Sequence, residues 1–170
     1  MSAFDGQMDL LATLIASTAE FQSTTSASTV ALAKDRIGYH ESADEENPIK
    51  YPRATIADGG VIERVKTSTG SWRGTGSLFL SFEFPAPTNK VTVEQQREWF
   101  LTKVSTIMRQ AEVIGDSRAT PTGYSTSHLM IRSYRRLNGP FALQPSERDL
   151  PEDTDSPLRP LWAIEFEVEY

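Results

Sequence analysis

From Trp72 to Phe84 the chain alternates with a period of two. One side reads Trp72, Gly74, Gly76, Leu78, Leu80, Phe82 and Phe84, and the other Arg73, Thr75, Ser77, Phe79, Ser81 and Glu83. A single apolar side at this period predicts a strand in a sheet that is covered on one face. The last ten residues repeat the pattern. Trp162, Ile164, Phe166, Val168 and Tyr170 share one side, and Ala163, Glu165, Glu167 and Glu169 the other. Two such strands need an apolar layer to seal them, and that requirement limits the architecture more than any other feature. Gly74 and Gly76 leave room for a bulky neighbour or mark a bulge.

Two segments have the helical spacing needed to supply that layer. Phe4, Met8, Leu11, Ile15 and Ala19 recur at intervals of three and four and predict a helix from residue 4 to about 22. Thr92 and Gln95 form a capping box ahead of a second helix, which reaches about Ile114 and turns Phe100, Val104, Ile107, Met108 and Ala111 inward. Between them, Ser23–Thr29 reads as a loop, Val30–His40 as a short strand, and Glu41–Pro52 as a polar loop. Arg53–Asp58 reads as a strand ended by a Gly59-Gly60 turn, with Val61–Lys66 returning as its hairpin partner. A further strand is expected over Ser127–Leu137, with Leu129, Ile131 and Leu137 on one side. A proline-rich polar loop then follows over about 138–160. The expectation is a single α+β domain over residues 1–170, a mainly antiparallel sheet with two helices packed on one face.

Charge and residue types narrow the functional classes. Of the 23 acids in this 170-residue chain, eight lie in residues 145–170 against Arg148 and Arg159, which accounts for the whole net charge of −6. An acidic carboxyl-terminal quarter argues against a general nucleic-acid surface there. With no Cys, thiolate catalysis, disulfides and cysteine-ligated metals are excluded. No run approaches the ~18 apolar residues of a membrane span, and Met1–Asp5 lacks a basic leader, so a soluble, unexported protein is expected.

Catalytic patterns are sparse. His40 and His128 stand far apart, without a metal-ligand spacing, and read as surface histidines. The segment Gly70-Ser-Trp-Arg-Gly-Thr-Gly76 enters a strand, whereas a phosphate loop leaves one and opens a helix. No catalytic residue, metal or cofactor is expected. Two charged groups remain. Arg132, Arg135 and Arg136 are candidates for contact with a phosphate or an acidic neighbouring subunit, or else for cross-strand pairing with Glu165, Glu167 or Glu169. The glutamates read most simply as one exposed sheet face.

Several segments together resemble the small tail-completion proteins of long-tailed bacteriophages, the tail terminators. They are Leu10-Leu11-Ala12-x-Leu14-Ile15-Ala16 with Phe21, Arg36-Ile-Gly-Tyr39, Pro52-Arg-Ala-Thr-Ile56, Gly76-Ser-Leu-Phe-Leu80, Ile107-Met108, and the closing Trp162–Tyr170 strand. The resemblance implies an α+β structural protein of the virion, without catalytic residues, that assembles as a hexameric ring. Such a ring caps the tail tube, stops its polymerisation and offers a surface to the head–tail connector. It implies assembly in the host cytoplasm and residence in the tail or neck of the virion. Partners would be further copies of the chain, the tail tube protein and the connector, with DNA passing through the lumen unbound and no membrane involved. In a head-to-tail ring, Arg132, Arg135 and Arg136 would face the acidic 145–170 segment of a neighbour. Glu165, Glu167 and Glu169 would face the lumen and repel passing phosphate. The alternatives are a head–tail joining (neck) protein or other minor tail component and, in a different class, a small cytosolic enzyme or ligand-binding domain.

Overall fold

A computed structural model describes residues 3–39, 49–66, 68, 72–118, 129–143 and 159–170. In chain order its elements are α1 (Ala3–Ala16), α2 (Ala19–Thr24), α3 (Val30–Lys34), β1 (Ile37–Tyr39), β2 (Arg53–Lys66), β3 (Trp72–Pro85), α4 (Val93–Arg118), β4 (Ser133–Leu143) and β5 (Leu161–Glu169). The five strands form one sheet in the order β1-β2-β3-β5-β4. Only the β1/β2 pair is parallel, and the other pairs are antiparallel. The fold is α+β.

The alternating strands lie where sealing matters most. β3 and β5 run through the middle of the sheet, with Leu80 opposite Phe166 and Phe82 opposite Ile164. Their apolar sides, with Ala54 and Ile56 of β2, share one buried cluster with Leu11 and Ile15 of α1, Phe21 of α2, and Phe100, Val104, Ile107 and Met108 of α4. Aromatic rings run through this layer. Phe82 and Phe84 have centroids 5.7 Å apart, Phe84 meets Phe100 edge-on at 5.6 Å, and Phe82 meets Phe166 at 6.4 Å. Such pairs add to what their area burial contributes. Buried Gln96 of α4 accepts a hydrogen bond from the Trp162 indole at 3.2 Å and donates to the Lys90 carbonyl at 2.9 Å, fixing α4 along β5.

Local chemistry explains where the elements depart from the sequence reading. The single amino-terminal helix is two helices, because Thr18 takes extended backbone angles and its hydroxyl accepts from the Phe21 N–H. The short strand expected over 30–40 begins as α3, capped by the Thr29 hydroxyl, and only Ile37–Tyr39 is strand. Gly59-Gly60 does not turn the chain. β2 runs straight through to Lys66 and pairs along its length with β3, with a register shift between Asp58 and Ile62. A Cβ on Gly59 would lie 2.4 Å from the Ser77 carbonyl oxygen, so the glycine serves close backbone approach rather than reversal. The irregularity therefore sits in β2, while β3 is continuous through Gly74 and Gly76. α4 passes through Gly115 and ends at Arg118. β4 begins six residues later than the expected strand and takes in 138–143, which had read as loop. Pro140 is tolerated there because β4 is an edge strand. Most of the remaining 144–160 stretch, and most of 41–52, lie outside the described residues.

Candidate functional site

The helices seal one face of the sheet, and among the described residues nothing covers the opposite face, the bare face below. Its side chains form rows across β2, β3, β5 and β4, fixed by the strand register. At one end Arg53 and Glu83 face each other as direct cross-strand partners, Nε to Oε2 at 2.6 Å and both half-buried. The Arg53 guanidinium also lies over the Tyr51 ring at 4.3 Å. The next row holds Thr55, Ser81 and Glu165. Beyond it stand Ala57, Phe79, Glu167 and Arg135, and then Ser77, Glu169 and Ser133.

The three glutamates expected to share an exposed face do so, pointing away from the helices. They are not equivalent. Glu167 is ion-paired with Arg135, and Glu169 accepts a hydrogen bond from the Ser133 hydroxyl at 2.6 Å. Glu165 stands beside a shallow hollow of about 510 Å³ floored by Ala57, Phe79 and Leu137. Phe79 and Leu137 keep 40% and 45% of their surface exposed there, a large apolar offering on an otherwise polar face.

The arginine cluster is divided by the structure. Arg135 pairs across the strands with Glu167, as the cross-strand reading expected, and its side chain is 74% exposed. An exposed pair of this kind contributes only ~0–1 kcal/mol, so Arg135 can exchange partners at little cost. Arg136 is in register with Phe166 and so occupies the helix-side face at the sheet edge. Beside it Tyr134 meets Phe166 edge-on at 5.8 Å. Its phenol is pushed up by burial and by Glu112 of α4, against an opposing effect of Arg109. Arg132 precedes β4. Its N–H donates to the Glu169 carbonyl at 2.8 Å, and it lines a second hollow of about 380 Å³ with Ser77, Glu167 and Glu169.

Two contributors to the bare face were not singled out in the sequence. Phe79 was visible as the one large apolar residue on the polar side of its strand. Leu137 was placed on an apolar side with Leu129 and Ile131, but within β4 it follows the alternation of Ser133 and Arg135 onto the bare face, while Leu129 and Ile131, ahead of β4, join the core. Among the described residues no group of three or more acids or histidines could hold a metal ion, and no helix is long and apolar enough to cross a membrane. His40 and His128 lie outside the described residues. Neither protein-family models nor curated proteins give a match to this chain. What the bare face carries is exposed ion pairs, hydroxyls, and an apolar hollow bordered by a carboxylate.

Proposed function

We propose that this chain is a tail-terminator subunit, which forms a ring on the end of a phage tail tube, stops its growth and presents a surface to the head connector. The observation that carries this reading is the asymmetry of the sheet. Among the described residues one face is sealed by helices and the other is uncovered, and the two lateral edges are unlike, three residues of β1 at one side and eleven of β4 at the other. A ring closes through heterologous contacts, in which one patch of a subunit meets a different patch of the next, and unlike edges suit that geometry. The segment resemblance adds to this, since its motifs fall on α1, α2, β1, β2, β3, α4 and β5, the parts that build the sheet and its cover.

Sedimentation velocity of the purified protein over a wide concentration range tests the proposal. The expected result is a discrete species of about six protomers, seen as closed rings by electron microscopy. A monomer at every concentration, with no effect on the length of growing tail tubes, overturns it.

A further inference from the structure

β2 and β3 are each 14 residues long, and they outreach the rest of the sheet. β5 accompanies β3 only as far as Ser77, with a last backbone pair between Gly76 and Tyr170. β1 accompanies β2 only at Ala54–Ile56. Beyond that point the pairs Ile62–Gly76, Glu63–Thr75, Arg64–Gly74, Val65–Arg73 and Lys66–Trp72 form a two-stranded ribbon. No third strand flanks it among the described residues. The ribbon extends about 13 Å past Gly76, at ~3.3 Å per residue. A two-stranded ribbon is marginal in water by itself and gains stability when something packs on it.

The ribbon is basic and aromatic on one side of the register, which carries Arg64, Lys66 and Trp72, while Arg73 falls on the other side with Glu63. The bare face is its chemical complement. Arg53 and Arg135 already neutralise Glu83 and Glu167, while Glu165 makes no ion pair within 4 Å among the described residues and borders the apolar hollow of Phe79 and Leu137. The two surfaces cannot meet within one chain. Lys66 is in register with Trp72, seven residues along an unbroken β3 from Phe79, a separation of about 23 Å. The exposed edge of β4 is a poorer contact, because bulges, Pro140 and its arginines are the devices that keep edge strands from pairing.

We infer that the Ile62–Lys66/Trp72–Gly76 ribbon is an inter-subunit arm, and that it docks on the bare face of a second copy of this chain, over the hollow of Phe79 and Leu137 and beside Glu165. This rests on the ring reading and supplies its heterologous contact. It gives the carboxylate beside the hollow a protein partner in place of the lumen surface that the sequence suggested.

A charge exchange tests it, with circular dichroism confirming that each variant folds. Arg64→Glu/Lys66→Glu on the ribbon and Glu165→Lys/Glu169→Lys on the face should each weaken self-association at least about tenfold by sedimentation. The four changes combined should restore it to within about threefold of the parent chain. If the parent assembles and the ribbon variant assembles equally well, the arm is overturned while the ring stands. Loss of salt-dependent DNA retention by such a normally assembling variant would assign the ribbon to nucleic acid instead. A parent chain that is monomeric throughout and leaves the length of growing tail tubes unchanged overturns both readings. Should a charge variant not fold, the absence of native Cys allows a direct test with Lys66→Cys/Glu165→Cys. That pair lies too far apart within a chain for a disulfide, so oxidation should give a ladder of covalent multimers that neither single variant gives. Assembly without a ladder refutes the docking.

Discussion

Gly139 and Gly6 show how differently two glycines act in one chain. Gly139 sits in β4 at φ +86°, and a Cβ there would lie 2.7 Å from the Ala163 carbonyl oxygen of β5. Gly6 is in α1 with nothing within 4 Å of the Cβ it lacks. Gly139→Ala is therefore expected to destabilise by about 2–3 kcal/mol, combining left-handed strain with a backbone collision. Gly6→Ala should stabilise by about 1 kcal/mol through helix propensity, and urea midpoints measure both. Tyr39 gives a residue-scale prediction in pH. Burial, then the Asp9 charge and the hydrogen bond to Asp9 at 3.2 Å, push its phenol up to about 12. The unfolded chain releases that proton near its ordinary value of 10, so the stabilisation is whole below pH 10 and is lost as pH rises toward 12. Asp9→Asn removes the second and third causes and leaves burial. The phenolate absorbance assigned by subtracting a Tyr39→Phe variant should move to lower pH, and the alkaline loss of stability should span a narrower interval. An unmoved titration would mean that Asp9 does not act on Tyr39.

The elements divide by whether their signal is local. The capping box of α4 is local and was legible: the Gln95 N–H donates to the Thr92 hydroxyl at 3.2 Å, and the Gln95 side chain accepts from the Thr92 and Val91 N–H groups. Thr92→Ala should accordingly cost about 1 kcal/mol, with Thr92→Ser restoring most of it in chemical denaturation. The alternation of β3 and β5 was equally legible, since period two needs no knowledge of partners. What failed depended on partners. Gly59-Gly60 has the composition of a turn, yet β3 lies alongside and the close approach of Ser77 uses glycine to keep the strand going. Leu137 has the parity of the core residues Leu129 and Ile131, but those two lie ahead of β4, and the side changes between Ile131 and Ser133, so that Leu137 alternates with Ser133 and Arg135 on the other face. The Thr18 break was written in the chain as an N-cap residue, but Leu14, Ile15 and Ala19 continued the helical spacing across it and masked it. Of the candidate site, the three glutamates were placed on their common face by alternation. Alternation also sets Arg136 opposite Arg135, and the β4 register against β5 decides which of the two faces the helices.

At the scale of the whole molecule, the sheet buries its core on one side and, among the described residues, leaves the other side uncovered. Phe79 and Phe82 are three residues apart on β3, so they face opposite ways. Phe82 is fully buried among Phe21, Phe84 and Phe166, while Phe79 borders the bare hollow. Truncating a buried phenylalanine costs about 3–5 kcal/mol, a large share of the ~5–15 kcal/mol that holds a domain folded. Phe82→Ala should therefore yield a chain that melts early or does not fold, and any loss of assembly in it would follow from that. Phe79→Ser removes apolar surface that solvent already reaches, so the folded monomer should melt within a few degrees of the parent. If the bare face is the seat of subunit contact, that same variant should lose self-association by about tenfold or more, because an apolar anchor in a contact hollow carries a disproportionate share of binding. Thermal unfolding and sedimentation on the two variants separate the roles. A Phe79→Ser chain that keeps both its melting temperature and its assembly would move the subunit contact off this face, to the edges of the sheet or the outer side of α4.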